Sequence, residues 1–368
     1  MVRFSVSTNN FSIFKLKVTM NFFYLFFCLL ITKLLSASPF IWATDATPGH
    51  NVVLVIDTAT SKISQTISGS TGSFNFPMSV AITSDGLFAY VFNGGDSTVS
   101  VINTQTYQLE TTIFLGLSSP FGTEGIIAIS PNGQFAYITN TINDKVHVID
   151  ISNNSWVQNI SISGPSGIAF SPDGAFAYVA SINSTTQLFR IDTSTNTVTP
   201  LTIAGSPSPF STPVYVIVTA NGTMAYVSNF ASSTISVINL TNNTLLTTIS
   251  ALNGEPQEII FNSDETLAYV STYNNSQILV IDTQTNTVKS SMTSVNADAP
   301  LGLALTPSEN ILYVGNAPGS GTGNISIFST LTNTFIAAVP NTAGDYTSLA
   351  LQPPGRPRQF ARPSNRRP

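Results

Sequence analysis

The chain has 368 residues, of which 42% are hydrophobic and only 8% are charged. Its formal charge of −5 is unevenly distributed, because nine of the 13 basic residues lie within the first 33 or the last 13 positions. Between Asp45 and Asp345, four basic residues stand against 18 acidic ones, a formal charge of −14. A surface of that sign repels phosphate backbones, so we expect no nucleic-acid partner.

The N-terminal segment has the pattern of an export signal. Basic residues precede an apolar run at 20–31, and small residues follow at 36–38. The run is too short to span a bilayer comfortably. We therefore expect residues 1–37 to be a signal peptide, with Met20 as an alternative start. The mature protein is then periplasmic, secreted or at the cell surface, with no stable membrane span.

One phrase recurs seven times: an apolar strand that ends in Asp, Asn or Ser, followed by a turn rich in Thr and Asn. Successive copies lie 42 to 47 residues apart. A period of roughly 40–50 residues built from short strands predicts a β-propeller with one four-stranded antiparallel blade per repeat. The residues that close the seven strands are Asp57, Asn103, Asp150, Asp192, Asn239, Asp282 and Ser329.

These closing residues resemble metal ligands only superficially. Asn103 and Asn239 occupy the same place as the four aspartates, so the position does not require a charge. An Asx turn, in which the side chain accepts a backbone N–H, explains both residue types. Only two histidines are present, His50 and His147, and no familiar hydrolase or nucleotide-binding motif occurs. We expect no metal and no cofactor.

Each repeat also contains a strand with a central tyrosine. The clearest copy, Tyr137-Ile138-Thr139-Asn140, resembles the YVTN β-propeller repeat family, and the resemblance extends over residues 40–355. It implies an exported or surface-layer protein of bacteria or archaea, a group with mostly no established catalytic activity. We interpret the tyrosines as blade-to-blade packing; they are Tyr90, Tyr137, Tyr178, Tyr226, Tyr269 and Tyr313.

The two ends of the repeat region complement one another. Residues 40–45 match a second strand of a blade, with Trp42 in the tyrosine position, and residues 348–353 match a first strand. Three N-terminal strands and one C-terminal strand therefore complete a seventh blade, which removes exposed sheet edges. The prediction is an all-β, seven-bladed propeller at 38–355, followed by a disordered, Arg-rich tail at 356–368.

Ligand sites on such a scaffold are expected at one mouth of the central channel, where the loops of this chain vary most. Five non-repetitive residues are the candidates for binding there, and two of them, Glu124 and Glu258, are also candidates for acid/base work. The five are Glu124, Tyr215, Glu258, Asp345 and Tyr346.

Two functional classes are compatible with these features. The first is an exported, non-catalytic propeller that binds a protein or glycan partner, and we expect it to be a monomer. The alternative is an enzyme resembling the seven-bladed lactonases, with its active site at the channel mouth. A phosphorylated substrate would require Arg or Lys at that mouth. Because the body has only four basic residues, and Lys62, Lys145 and Lys289 are expected on or beside outer strands and turns, the sequence favours the binding scaffold.

Overall fold

A computed structural model of the chain describes residues 39–69, 74–116, 125–184, 187–203, 209–250 and 252–353. The predicted signal peptide with Met20, the candidate Glu124 and the Arg-rich tail lie outside these residues. The described residues form 28 β-strands and no helix. They accordingly contain no helix that could cross a membrane.

The strands are grouped into seven blades, numbered here in chain order. The N-terminus supplies three strands of blade 7: β1 (Phe40–Asp45), β2 (Val52–Asp57) and β3 (Lys62–Ser68). Blade 1 consists of β4 (Pro77–Ile82), β5 (Phe88–Asn93), β6 (Thr98–Asn103) and β7 (Leu109–Phe114). Blade 2 consists of β8 (Ile127–Ile129), β9 (Phe135–Asn140), β10 (Lys145–Asp150) and β11 (Ser155–Ser161). Blade 3 consists of β12 (Pro165–Phe170), β13 (Phe176–Ser181), β14 (Leu188–Asp192) and β15 (Thr197–Pro200). Blade 4 consists of β16 (Pro213–Val218), β17 (Met224–Asn229), β18 (Thr234–Asn239) and β19 (Thr244–Ile249). Blade 5 consists of β20 (Pro256–Phe261), β21 (Leu267–Thr272), β22 (Gln277–Asp282) and β23 (Thr287–Thr293). Blade 6 consists of β24 (Pro300–Leu305), β25 (Ile311–Asn316), β26 (Ile325–Ser329) and β27 (Thr334–Ala338). The last strand is β28 (Tyr346–Leu351).

Every blade is an antiparallel sheet of four strands, and in six blades the strands follow chain order from the centre outward. The seventh has the order β28-β1-β2-β3. Ala43 pairs with Leu349 and Trp42 with Ala350, while the Trp42 Nε1–H donates to Gln352 Oε1 at 2.9 Å. The predicted seven-bladed fold and its closure by three N-terminal strands and one C-terminal strand are therefore confirmed.

The turns that follow the third strands explain why Asp and Asn recur at the ends of those strands. Asp57 Oδ1 accepts the backbone N–H of Ala59 at 2.8 Å, and Asn103 Oδ1 accepts that of Gln105 at 3.0 Å. These are the Asx turns that the sequence predicts. The residue that ends each such turn has a left-handed backbone, a conformation that asparagine tolerates well; Asn196, for example, has φ of 55°.

The core consists of seven apolar clusters, and each one lies between two neighbouring blades. The central tyrosines take part in these interfaces and also carry a hydrogen bond across them. The Tyr226 hydroxyl of blade 4 donates to Asn286 Oδ1 of blade 5 at 2.6 Å, and Tyr90 donates to Asn154 in the same way. Because Tyr313 of blade 6 is bonded to Ser61 of blade 7, the pattern continues across the closure.

Candidate functional site

The innermost strands of the seven blades surround a central cavity of about 720 Å³. Loops that join second to third strands line it at one end. In five blades the residue directly after the second strand lines the cavity, and these residues are Ala46, Ile182, Phe230, Tyr273 and Ala317. The mouth therefore lies at the end of the ring where the sequence places its candidate binding residues.

In three of the innermost strands, the side chain at the third position accepts a backbone N–H of the next blade. Ser79 Oγ accepts the N–H of Ile127 at 3.2 Å, and Ser348 Oγ accepts the N–H of Val80 at 3.3 Å. Glu258 occupies the same position in β20, and its Oε2 accepts the N–H of Leu303 at 2.8 Å. A serine is therefore sufficient for this structural contact, and the contact does not require the carboxylate of Glu258.

The second oxygen of Glu258 is held by the preceding blade. Tyr215 has the equivalent position in β16, and its hydroxyl donates to Glu258 Oε1 at 3.2 Å. Both residues line the cavity. Two residues that the sequence proposes separately are thus brought together, because equivalent positions of consecutive blades are neighbours around the channel.

Burial inside the ring changes the proton affinity of this pair. Removal from bulk water raises the pKa of Glu258 to about 7, although the hydrogen bonds from Leu303 and Tyr215 partly oppose this shift. The pKa of Tyr215 lies well above its usual range because of burial and the neighbouring carboxylate. At neutral pH, Tyr215 therefore stays protonated, while Glu258 exchanges a proton readily.

Two further polar side chains of blade 5 line the cavity. Gln257 precedes Glu258 in β20, and Tyr273 follows the second strand of the same blade. Among the described residues, neither the Gln257 amide nor the Tyr273 hydroxyl has a side-chain hydrogen-bond partner. Amide and phenol groups in this state can donate to the carbonyl or hydroxyl oxygen of a ligand.

Asp345 lies at the cavity but serves the closure of the ring. Its Oδ1 and Oδ2 accept the N–H groups of Gly319 and Gly321, each at 3.0 Å. Its own backbone N–H donates to the buried Asp45 at 3.2 Å, and Asp45 also contacts His50 Nδ1 at 2.8 Å. Both carboxylate oxygens of Asp345 thus accept hydrogen bonds from backbone N–H groups of the loop between β25 and β26.

The other candidates are separated from the Glu258–Tyr215 pair. Tyr346 does not line the cavity; it is buried in the apolar cluster between blades 6 and 7. Glu124 lies outside the described residues, so its proposed role stays a prediction. His147 is fully buried, and desolvation lowers its pKa to about 4, which keeps it neutral at physiological pH. Its ring nitrogen Nδ1 contacts Asn159 Oδ1 at 2.6 Å, a structural arrangement.

No metal centre is formed by the part of the chain that the structure describes: no three His, Cys, Asp or Glu residues are grouped so that they could hold an ion. The basic residues of the body lie away from the cavity as well. Lys62, Lys145, Arg190 and Lys289 all belong to third or fourth strands. The guanidinium of Arg190 stacks over the ring of Phe176 at 4.6 Å.

Together, the fold and the cavity define a seven-bladed β-propeller in which one glutamate, the half-buried Glu258, is among the described residues that line a largely apolar channel. A family model described as "Lactonase, 7-bladed beta-propeller" matches residues 40–210, somewhat less than half of the chain. A comparison with curated protein sequences found no match.

Solved structures with this architecture include three that cover 85–86% of the chain. A protein of unknown function from Desulfotomaculum acetoxidans has 20% identity and a TM-score of 0.71, with 99% of its own chain covered. The periplasmic gluconolactonase of Pseudomonas aeruginosa has 14% identity and a TM-score of 0.68, with 99% covered. A candidate 6-phosphogluconolactonase from Bacteroides fragilis has 16% identity and a TM-score of 0.66, with 98% covered. At these identities the likeness concerns the fold.

The match to the lactonase family model overturns one expectation. The non-catalytic binding scaffold, which the sequence favours, is wrong as the main interpretation, and the lactonase-like alternative is better supported. The expectation rested on the lack of Arg and Lys in the channel loops, which bears only on phosphorylated substrates. The cavity instead contains one carboxyl group whose environment tunes its pKa, and this tuning depends on the folded ring.

Gln257 and Tyr273 are not among the residues that interrupt the repeat and that were expected at the channel mouth. A signal for Tyr273 is nevertheless present, because one variable position directly follows each second strand. Its seven residues are Ala46, Gly94, Thr141, Ile182, Phe230, Tyr273 and Ala317. Comparing this position across the repeats would have identified cavity residues without a structure.

Proposed function

We propose that the protein is a lactonase-type hydrolase that opens a cyclic ester in the central cavity, with Glu258 as the general base. The observation that carries this proposal is the carboxylate at a position where serine performs the same inter-blade contact in two other blades. Loss of bulk water makes the charged form of this half-buried carboxyl group costly to the fold, so its presence without a structural need supports a chemical role. The match to the lactonase family model supports the reaction class.

In the proposed reaction, the Glu258 carboxylate accepts a proton from a water molecule as the water oxygen bonds to the lactone carbonyl carbon. The tetrahedral intermediate then collapses and the bond from that carbon to the ring oxygen breaks. The proton on Glu258 passes to the departing ring oxygen, which becomes a hydroxyl group. The product is a hydroxy acid, and Glu258 returns to its carboxylate form. Tyr215 and the N–H of Leu303 act as positioning groups that hold the two oxygens of Glu258.

The experiment is hydrolysis of a panel of lactones by the purified full chain, followed in a pH-stat. Glu258→Gln and Glu258→Ser are expected to lower kcat by about 10²- to 10⁴-fold, the usual contribution of a general base. Glu258→Ser is expected to fold normally, because serine makes the equivalent contact at Ser79 and Ser348. Glu110→Gln, on an exposed outer strand, is the matched control and should retain activity.

The pH profile gives an independent readout. Since the base must be ionised and its pKa is about 7, kcat/KM of the wild type should rise with pH up to about 7 and then level off. The variants at position 258 should lack this inflection. Activity of Glu258→Gln within tenfold of the wild type would exclude the proposed role.

We further propose that the mature protein is exported and works as a monomer without a nucleic-acid partner. The apolar leader at 20–31 and the negative charge of the body support this proposal. The resemblance of its repeats to the YVTN family points in the same direction. One structural neighbour is itself described as periplasmic. Cell fractionation with an antibody against the propeller would test the location.

A further inference from the structure

The cavity is surrounded by residues without positive charge. Among the 24 lining residues there is no Lys, Arg or His. The segments 70–73, 117–124 and 204–208, which lie outside the described residues, contain no Lys, Arg or His in their sequence. The four basic residues of the body belong to third and fourth strands, away from the channel.

An anionic substrate would therefore find no positively charged side chain among the described residues that line the cavity. Proteins bind phosphate groups with Arg, with Lys or with helix N-termini, and the described residues provide none of these at the cavity. Glu258 must be ionised to act as the base, so its charge would repel a phosphate held in the same space. The formal charge of −14 on the body adds to this effect at longer range.

The walls of the cavity favour hydrocarbon instead. Half of the lining residues have aliphatic or aromatic hydrocarbon side chains or the thioether of Met78. The large ones include Phe76, Met78, Ile126, Ile182, Phe230 and Leu301. The cavity of about 720 Å³ has the size of a typical small-molecule site. Removing a ligand's apolar surface from water is therefore the main source of affinity that this cavity offers.

From these observations we infer that the substrate is an uncharged lactone with an apolar substituent, and not a phosphorylated sugar lactone. This inference rests on the hydrolase function proposed above. The polar side chains of blade 5 at the cavity, Glu258, Gln257 and Tyr273, would hold the lactone ring, while the apolar lining residues hold the substituent. Hydrolysis converts the neutral ester into a hydroxycarboxylate, whose charge is repelled by Glu258, so the same electrostatics that exclude anionic substrates expel the product.

The test compares three substrate classes on the full chain. The first is a γ-lactone series with side chains of increasing length, from γ-butyrolactone to γ-decalactone; the others are gluconolactone and 6-phosphogluconolactone. We expect kcat/KM in the series to rise by up to about fourfold for each added methylene until the cavity is filled. 6-Phosphogluconolactone should be hydrolysed at least about a hundredfold less efficiently than the best alkyl lactone, given the repulsion between charges at short range.

Two variants sharpen the comparison. Phe230→Ser replaces an apolar wall residue and should weaken the dependence of kcat/KM on the length of the lactone side chain. A chain that ends at Gly355 removes the Arg-rich tail, and its preference should equal that of the full chain. If the full chain prefers 6-phosphogluconolactone, the inference is wrong while the hydrolase function stands; loss of that preference in the shortened chain would assign it to the tail.

Binding separates the inference from the proposed function. Calorimetric titration of Glu258→Gln with the alkyl lactones measures recognition without turnover. Suppose that Glu258→Gln binds the lactones more tightly as their alkyl side chain lengthens, while the wild type hydrolyses none of them. That result would support the apolar site and refute the hydrolase function. Absence of both binding and hydrolysis across the alkyl series would overturn the inference and the proposed function together.

Discussion

At the scale of single residues, Glu258 combines a structural contact with an unfavourable environment. Its Oε2 replaces the hydroxyl that Ser79 and Ser348 provide in other blades, and its Oε1 accepts the hydroxyl of Tyr215. The two hydrogen bonds favour the charged form, but loss of bulk water outweighs them, so the pKa rises to about 7. Ionisation of this group is therefore coupled to the stability of the whole protein.

This coupling predicts how stability depends on pH. The pKa of Glu258 is about 7 in the folded protein and 4.5 for an unperturbed glutamate. Between these values the unfolded chain has released its proton while the folded protein retains it, so the free energy of unfolding should fall as pH rises from about 4.5 to about 7. The total fall is at most about 3 kcal/mol. Above about pH 7 the contribution is constant.

Urea denaturation of the wild type and Glu258→Gln at pH 5 and pH 8 measures this effect. The other titrating groups are common to both proteins, so their contributions cancel in the comparison. The wild type should lose stability between the two pH values relative to the variant, because glutamine does not titrate. An identical change in both proteins would show that the pKa of Glu258 is the same in the folded and unfolded states.

At the scale of the strands and turns, the recurrent tyrosine connects neighbouring blades in two ways. Its ring packs in the apolar cluster between the blades, and its hydroxyl reaches the left-handed turn of the next blade. Tyr226 and Tyr90 both make this contact with an asparagine, and Tyr313 makes it with Ser61. Tyr178 is buried in the corresponding place, but its hydroxyl has no such bond among the described residues.

This difference provides a matched pair of variants. Tyr226→Phe should lower the free energy of unfolding by about 1 kcal/mol, because the bond to Asn286 is lost while the ring remains. Tyr178→Phe removes a hydroxyl without such a bond and should change stability by less than about 0.5 kcal/mol. Chemical denaturation at constant pH measures both values. Equal effects of the two substitutions would mean that the hydroxyl contact contributes nothing.

At the scale of the whole molecule, stability depends on joining the two ends of the repeat region. Strand β28 pairs with β1 and contributes the buried Leu349 and Tyr346 to the cluster between blades 6 and 7. Gly315 on the neighbouring blade permits a close approach, since a Cβ at that position would lie 2.5 Å from the carbonyl oxygen of Tyr346. The closure therefore depends on both strand pairing and tight packing.

Removing the closing strand should consequently destabilise the ring. A chain that ends at Gly344 exposes the edge of β1 and loses apolar burial, at a cost of several kcal/mol by the area relation of about 25 cal/mol per Å². That is comparable with the stability of a typical domain. A chain that ends at Gly355 keeps β28 and should melt like the full chain in a thermal scan. Similar melting of both shortened chains would contradict a role for β28 in stability.

A point variant tests the same closure without removing residues. Gly315→Ala should lower the melting temperature, because the methyl group would collide with the backbone at Tyr346. The ring can relieve this contact only by separating blade 6 from β28. An unchanged melting temperature would show that the approach of the two strands is looser than the structure indicates.

The sequence alone determined the repeat, the number of blades and the way in which the ring closes. Each of these follows from local patterns: alternating apolar residues define strands, and Asp, Asn and Gly define the turns between them. Residues 40–45 and 348–353 can be recognised as two strands of one blade because every other blade supplies a template for the comparison. Glu258 and Tyr215 could also be nominated singly, since they interrupt the repetition.

Only the tertiary structure decided which of these residues act together. Glu258 and Tyr215 are 43 positions apart, and their contact exists because equivalent positions of adjacent blades meet around the channel. Asp345 and Tyr346 are neighbours in sequence, yet one lines the cavity and the other packs between blades, because successive residues of this segment have opposite surroundings. The raised pKa of Glu258 likewise depends on burial, a property of the closed ring that no local pattern encodes.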